Sequence, residues 1–184
     1  MNKIFDGRSV LVIGGARSGK STYAQRLIEA AAPLWVYVAT AEGRDAEMAE
    51  RIGRHRSDRR AGWRTIEEPI ELGAVLREQV IPGAAVVVDC LTLWLSNLME
   101  AGRDIDAEIV RLLDSLAGAL GPVVFVANEV GQGIVPATPL GREFRDAQGR
   151  LNQAFAAACD VVVEVQAGLP RLLKPAPEFT LRLH

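Results

Sequence analysis

The chain has 184 residues, 49% apolar and 24% charged, which supports a real core and excludes a disordered, highly charged chain. Its formal net charge of -2 (21 Lys+Arg against 23 Asp+Glu) speaks against a nucleic-acid partner, because proteins that neutralise phosphate backbones are normally basic. No apolar run approaches the ~20 residues of a membrane span, and the start lacks the apolar region and cleavage site of a signal peptide. One cytoplasmic domain over residues 1–184 is therefore expected.

In chain order, short and nearly continuous apolar runs predict strands at 9–13, 34–39, 84–89, 122–127 and 160–165. Such runs suit strands buried on both faces. Between them, helices are expected at 21–31, 46–56, 70–79, 91–101, 105–120 and 141–158. Asp104 is placed to cap the helix at 105, and Gly121-Pro122 to end it. This alternation predicts an α/β fold with three layers: a mostly parallel sheet with helices on both faces. The loop 128–139 is long for a β-to-α connection, and long loops in compact domains are often functional. The tail after Gly168 holds three prolines and suggests an antiparallel edge strand at the C-terminus, 171–173 paired with 179–183. Cys90 and Cys159 stand alone in apolar surroundings and read as buried thiols.

The strongest motif is Gly14-Gly15-Ala16-Arg17-Ser18-Gly19-Lys20-Ser21, which fits G-x-x-x-x-G-K-[ST] between a strand and an amphipathic helix. Its glycines let successive backbone N–H groups wrap phosphate oxygens, and the helix N-terminus adds its positive dipole end. Lys20 would reach the β- and γ-phosphates, and the Ser21 hydroxyl would hold Mg²⁺. A glycine-rich turn is the plain alternative. The loop makes the sheet one of the P-loop NTPase type. A second Mg²⁺ group is expected at the end of a neighbouring strand, where Asp89 follows Ala85-Val86-Val87-Val88. It would act directly or through water. The alternative for Asp89 is a helix cap, because a helix follows at 91.

Residues 44–64 carry seven arginines, among them Arg56, Arg59 and Arg60, and one of the two histidines, His55. Arginine grips phosphate with a planar fork. The segment reads either as a second phosphate-binding element or as a solvated helix face with i,i+4 pairs. Met48, Ile52 and His55 fall on one helical face, so His55 is either a packed histidine or a nucleophile aimed at phosphorus.

Together these motifs resemble one family. GGARSGKS, the stretch AEMAERIGRHRSDRRAGWRT, the loop NEVGQGIVP (128–136) and the helix FRDAQGRLNQ (144–153) are similar to the bifunctional adenosylcobinamide kinase / adenosylcobinamide-phosphate guanylyltransferase of cobalamin biosynthesis. The resemblance covers residues 9–168. It implies two reactions. The γ-phosphate of ATP or GTP passes to the aminopropanol hydroxyl of adenosylcobinamide. A histidine then takes GMP from GTP, expels pyrophosphate, and hands GMP to adenosylcobinamide phosphate.

By the same resemblance His55 is the guanylylated residue. Gly14 to Ser21 match the triphosphate loop, and Ala39, Thr40 and Ala41 match the segment that borders the nucleotide. Arg56, Ser57, Asp58 and Arg59 match neighbours of the histidine that contact GTP, while Glu67 and Asp89 match two further nucleotide contacts. Some members place two adjacent histidines where this chain has Arg54-His55, and some have Glu where it has Asp89. Family members are homo-oligomers, and a trimer is expected here.

Asn128 and Glu129 follow a strand's C-terminal end and are candidates for meeting the corrinoid substrate. Glu129 and Asp146 are also candidates for the kinase base; a loop hydrogen bond and a helix-face ion pair are the plain readings of each. Trp35, Trp63 and Trp94 are either core or stacking surfaces. Two other functions stay open: a monofunctional P-loop kinase, which has no use for His55, and a nucleotide-dependent switch, which needs a protein partner.

Overall fold

The computed structural model describes residues 7–43, 50, 53 and 59–176. Their elements are β1 (Ser9–Gly14), α1 (Lys20–Ala31), β2 (Leu34–Ala39), β3 (Trp63–Glu67), α2 (Leu72–Gln79), β4 (Ala84–Asp89), α3 (Leu91–Glu100), α4 (Ile105–Ala117), β5 (Val123–Asn128), α5 (Pro139–Ala158), β6 (Val161–Gln166) and β7 (Leu169–Lys174). The strands form one sheet in the order β3-β2-β4-β5-β1-β6-β7. Every neighbouring pair is parallel except β6 with β7. No helix of the described residues is long and apolar enough to cross a membrane.

Side chains alternate across the sheet, and the two faces are covered unequally. Leu11, Val36, Val38, Val86, Val88 and Phe125 face one layer with residues of α2, α3, α4 and α5. Phe125 meets Phe155 of α5 edge-on, with centroids 4.9 Å apart. Val12, Tyr37, Val87, Val126 and Val163 face the other side with Ala24 and Ile28 of α1. The unbroken apolar runs of β4 and β5 follow from this: each strand is buried on both faces. Phe155 is completely buried, and its truncation to Ala would cost ~3–5 kcal/mol.

Helix ends follow local chemistry. Asp104 caps α4, its carboxylate accepting from the Ala107 N–H at 3.1 Å. Thr138 caps α5, accepting from the Gly141 N–H, so this helix opens at Pro139 rather than at 141. Pro suits that first position, where no N–H is needed. The Glu68 carboxylate takes the N–H groups of Ile70 and Glu71, which delays α2 to Leu72.

Two expectations are corrected. β3 was not expected: Trp63–Glu67 has no fully buried residue and three polar ones, so it lacks the apolar run that marks an inner strand. The C-terminal hairpin is also different. β7 begins at Leu169 and pairs with β6, Gln166 opposite Leu169, through the two-residue turn Ala167-Gly168. Both turn residues have positive φ (52° and 79°), the conformation tight hairpins favour. The expected partner, 179–183, lies outside the described residues, as does the expected helix 46–56 except for Glu50 and Gly53, both helical.

Candidate functional site

Parallel strands bring their C-terminal ends to one edge, where open α/β sheets bind ligands. The register sets the row. Ala39 lies beside Glu67 on one side and Asp89 on the other, Asp89 beside Val126, and Val126 beside Val12. Glu67, Ala39 and Asp89 thus occupy one level on three adjacent strands. The phosphate loop begins two residues above that level, at Gly14 opposite Asn128.

The loop is built tightly. The Ser18 N–H donates to the Gly15 carbonyl at 3.3 Å and turns the chain into α1. Lys20 Nζ donates to the same carbonyl at 3.0 Å, which folds the side chain back over the loop. A Cβ on Gly14 would lie 2.4 Å from the Val165 carbonyl oxygen and 2.7 Å from Ser18 Oγ, so no larger residue fits there. Gly19 has φ 94°, and a Cβ on it would come within 3.2 Å of Gly168 Cα. The Gly168 N–H donates to the Ser18 carbonyl at 2.8 Å, so the β6–β7 turn buttresses the loop from behind.

On the open side the cradle has room. Gly15, Ala16 and Arg17 are exposed, and a Cβ on Gly15 would meet nothing within 4 Å. Ser18 Oγ is buried without a hydrogen-bond partner among the described residues. An acceptor with phosphate chemistry fits such a cradle. Ser21, in the first turn of α1, and Asp89 are hard oxygen donors of the type Mg²⁺ prefers. Among the described residues no three His, Cys, Asp or Glu side chains converge, so such an ion would complete its shell from phosphates and water.

Asp89 ends β4 and is not the helix cap; Cys90 occupies that position. Tyr37 Oη donates to Asp89 Oδ2 at 2.8 Å. Burial first, and then the Asp89 carboxylate, push the Tyr37 phenol far above its ordinary pKa, so it stays a donor. The Arg59 guanidinium carbon lies 3.9 Å from the centroid of the same ring. Trp63 meets that ring edge-on and donates from Nε1 to Glu29 of α1. Arg60 packs near Trp35 and pairs with Glu29 at 3.8 Å. At the described end of the arginine segment Arg59 therefore packs over an aromatic ring, while the Arg60 side chain stays 73% exposed. Burial, then Asp89, raises the Cys90 thiol to about 11, and burial raises Cys159 to about 12, so both stay neutral.

Thr40 is completely buried beneath this row. Its hydroxyl donates to the Cys90 carbonyl and accepts from the Cys90 N–H, both at 2.8 Å. Asn97 of α3 donates to the Thr40 carbonyl at 2.8 Å and to the Pro69 carbonyl at 3.1 Å. These bonds tie the ends of β2 and β4 to α3. The base of the long loop is held similarly. The Asn128 N–H donates to Thr92 Oγ1 at 2.7 Å, its carbonyl accepts from Asn152 at 3.1 Å, and the Glu129 N–H donates to the Gly14 carbonyl at 3.0 Å. Beyond this base the loop opens outward, with Ile134 98% exposed and Val135 60%.

A family model described as "Cobinamide kinase / cobinamide phosphate guanyltransferase" matches residues 10–173. This chain belongs to that family. A Pseudomonas aeruginosa protein named "Bifunctional adenosylcobalamin biosynthesis protein CobP" is 45% identical over 169 residues, 91% of this chain and 98% of that protein. Salmonella typhimurium and Escherichia coli proteins named "Bifunctional adenosylcobalamin biosynthesis protein CobU" are 41% and 39% identical, each over 87% of this chain and 96% of theirs. The P4 protein of bacteriophage phi6, solved in complex with ADP, has a TM-score of 0.51 at 16% identity. The match covers 90% of this chain and 53% of that one, and it shows a shared fold alone.

As a cobinamide kinase / guanyltransferase the chain is an enzyme with two transferase activities, both acting on nucleotide substrates. The structure brings Gly14–Ser21, Ala39–Ala41, Glu67, Asp89 and Asn128–Glu129 to one edge, with Arg59 stacked beside Asp89's partner. His55, Arg56, Ser57 and Asp58 lie outside the described residues. Of the two candidate bases, Glu129 accepts the Gly131 N–H at 2.7 Å and Asp146 pairs with Arg145 at 2.9 Å, the plain reading of each. Trp94 is core, donating to the Ile70 carbonyl. Tyr37, Thr92, Asn152 and Gly168 were not foreseen as supports of the site. Asn152 lay within the recognised helix motif; the other three had no signal beyond strand or turn composition.

Proposed function

We propose that this chain carries out both transfers of adenosylcobalamin biosynthesis at the C-terminal edge of its sheet, with His55 as the nucleotide carrier. Gly14, Gly15, Ala16, Arg17, Ser18 and Gly19 wrap the triphosphate of ATP or GTP. Lys20 neutralises charge that builds on the transferring phosphoryl group. Ser21 and Asp89 hold Mg²⁺, which supplies further charge neutralisation on the phosphates. Ala39, Thr40, Ala41, Glu67 and Arg59 border the nucleotide. Asn128 and Glu129 anchor the loop that meets adenosylcobinamide.

In the kinase step the aminopropanol hydroxyl attacks the γ-phosphorus and loses its proton, and the nucleoside diphosphate leaves. In the guanylyl step a neutral His55 nitrogen attacks the α-phosphorus of GTP. An N–P bond forms, the P–O bond to pyrophosphate breaks, and the other ring nitrogen releases its proton. Like charge disfavours an imidazolium, and the arginines that flank His55 in sequence, Arg54 and Arg56, carry such charge. A phosphate oxygen of adenosylcobinamide phosphate then attacks the same phosphorus, and the histidine nitrogen leaves and regains its proton. The phosphoramidate keeps the energy of the GTP anhydride for this second transfer. We read residues 1–184 as one domain working in the cytoplasm as a homotrimer.

What carries this reading is the meeting of the phosphate cradle, Lys20 and Asp89 at one sheet edge in a chain of this family. Covalent labelling tests it. With Mg²⁺ and GTP labelled at the α-phosphorus, the wild type should acquire acid-labile, base-stable label, and His55→Asn should acquire none. Equal label in both proteins would displace His55 from the role. No label in either, with GTP bound, would leave a kinase alone.

A further inference from the structure

Tyr37 lies two residues before Ala39 on β2, so it shares the α1-facing side of the sheet with Asp89, the register neighbour of Ala39. It is only 5% exposed and packs within the apolar layer against α1. Two different surfaces of this one side chain are used. Its hydroxyl donates to Asp89 Oδ2 at 2.8 Å, and its ring face carries the Arg59 guanidinium at 3.9 Å. The ring cannot swing away. Trp63 blocks it edge-on at 6.1 Å, and Trp63 is itself fixed by its bond to Glu29 and its contact with Trp35.

Each contact has a distinct consequence. A hydrogen bond to one carboxylate oxygen fixes the rotation of the Asp89 side chain and aims the other oxygen, Oδ1. Partners of this kind orient a metal ligand and typically carry a ten- to hundredfold effect on metal affinity. The contact holds the guanidinium against the ring face. A cation over a Tyr face is attracted by the ring's negative face, more strongly when water is excluded. Arg59 stands four residues after His55 in the sequence.

We propose that Tyr37 is a positioning residue shared by the two halves of the chemistry: its hydroxyl orients Asp89 toward the metal, and its ring seats Arg59. The proposal rests on the reading above of Asp89 as a magnesium ligand and His55 as the carrier. Tyr37 itself touches no reacting atom. Its two functions are chemically separable, because Phe removes the hydroxyl and keeps the ring face, whereas Met fills much of the volume and has neither.

The test measures binding of a fluorescent GTP analogue as a function of Mg²⁺, and in parallel the rate of covalent labelling at saturating Mg²⁺. Tyr37→Phe should raise the Mg²⁺ concentration for half-maximal tight binding by about tenfold, leave metal-free nucleotide binding unchanged, and leave the labelling rate within about twofold of wild type. Tyr37→Met should show the same Mg²⁺ shift and also slow labelling by about fivefold or more. In an Arg59→Gln background, Tyr37→Met should add no further slowing, since the group it seats is gone.

Asp89→Asn is the reference. If it leaves the Mg²⁺ requirement unmoved, the metal reading of Asp89 fails and the proposal falls with it. If Asp89→Asn shifts the requirement and Tyr37→Phe does not, the proposal alone is overturned. Full additivity of Tyr37→Met with Arg59→Gln overturns the seating of Arg59. Should the Met variant fail to fold, the Arg59→Gln effect on labelling is measured in wild type and in Tyr37→Phe. Equal effects support a role for the ring face alone, and unequal effects overturn it.

Discussion

The two edges of the sheet use their polar groups in opposite ways. At the edge where β1 and β6 begin, the Asp160 carboxylate accepts the Arg8 N–H, the Ser9 N–H and the Ser9 hydroxyl at 2.8–2.9 Å. Nearby, the Lys174 ammonium donates to the carbonyls of Ala156, Ala157 and Cys159 at the end of α5. Both groups are saturated by the fold. At the opposite edge Ser18 Oγ is buried without a partner among the described residues, and so is Gln148 Oε1, whose amide nitrogen donates to Asn152. A buried polar atom left without a partner costs ~1–3 kcal/mol. Saturated charges at one edge hold the structure together; unmet capacity at the other is where a polar ligand is expected.

The largest expected effect comes from the open edge. Lys20→Ala removes a charge from the phosphate cradle and should lower kinase kcat by about 10²–10³-fold, as loss of a charge-stabilising group does. The melting temperature should stay near that of wild type. A large loss of stability with unchanged kcat in the folded fraction would make Lys20 a structural residue.

Thr40→Val sharpens the contrast from within the same edge, because the Thr40 hydroxyl is committed to the Cys90 backbone. The swap keeps volume but strips the Cys90 N–H and carbonyl of their hydroxyl partner, a cost of ~2–3 kcal/mol. Urea unfolding should show that loss as a lower midpoint at constant slope. The smallest effect belongs to the closed edge. Backbone and hydroxyl bonds from Ser9, more than the bond from Arg8, hold the Asp160 carboxyl below its usual range. A depressed folded pKa means stability that is present above the unfolded value of ~3.9 and is lost as pH falls through the folded one. Melting temperature against pH should therefore fall less steeply below pH ~4 in Asp160→Asn than in wild type, with kcat at neutral pH unchanged.

The elements that were legible along the chain share one property: their pattern is local. β1, β2, β4, β5 and β6 each carry a short apolar run, and β4 and β5, the most central of them, are buried along nearly their whole length. Asp104 caps its helix through a bond three residues away, and the phosphate loop is a contiguous octapeptide. β3 and the start of β7 escaped because they lie at the sheet's two ends, where one neighbour is missing and burial no longer demands an apolar run. Cys90 rather than Asp89 caps α3, and that distinction depends on where β4 ends, which periodicity does not resolve.

Residue order alone thus established the α/β class, the phosphate loop, the acidic strand end and the family, because each is written in short contiguous spacing. Tertiary structure decided which distant residues serve them. Tyr37 reaches Asp89 across 52 positions, Thr40 reaches Cys90 across 50, and Gly168 stands against Gly19. Such partnerships come from strand order and register in a sheet that places β2 beside β4 and β1 beside β6. Pairing across a sheet is set by which apolar faces find each other on folding, and no short stretch of the chain carries that information.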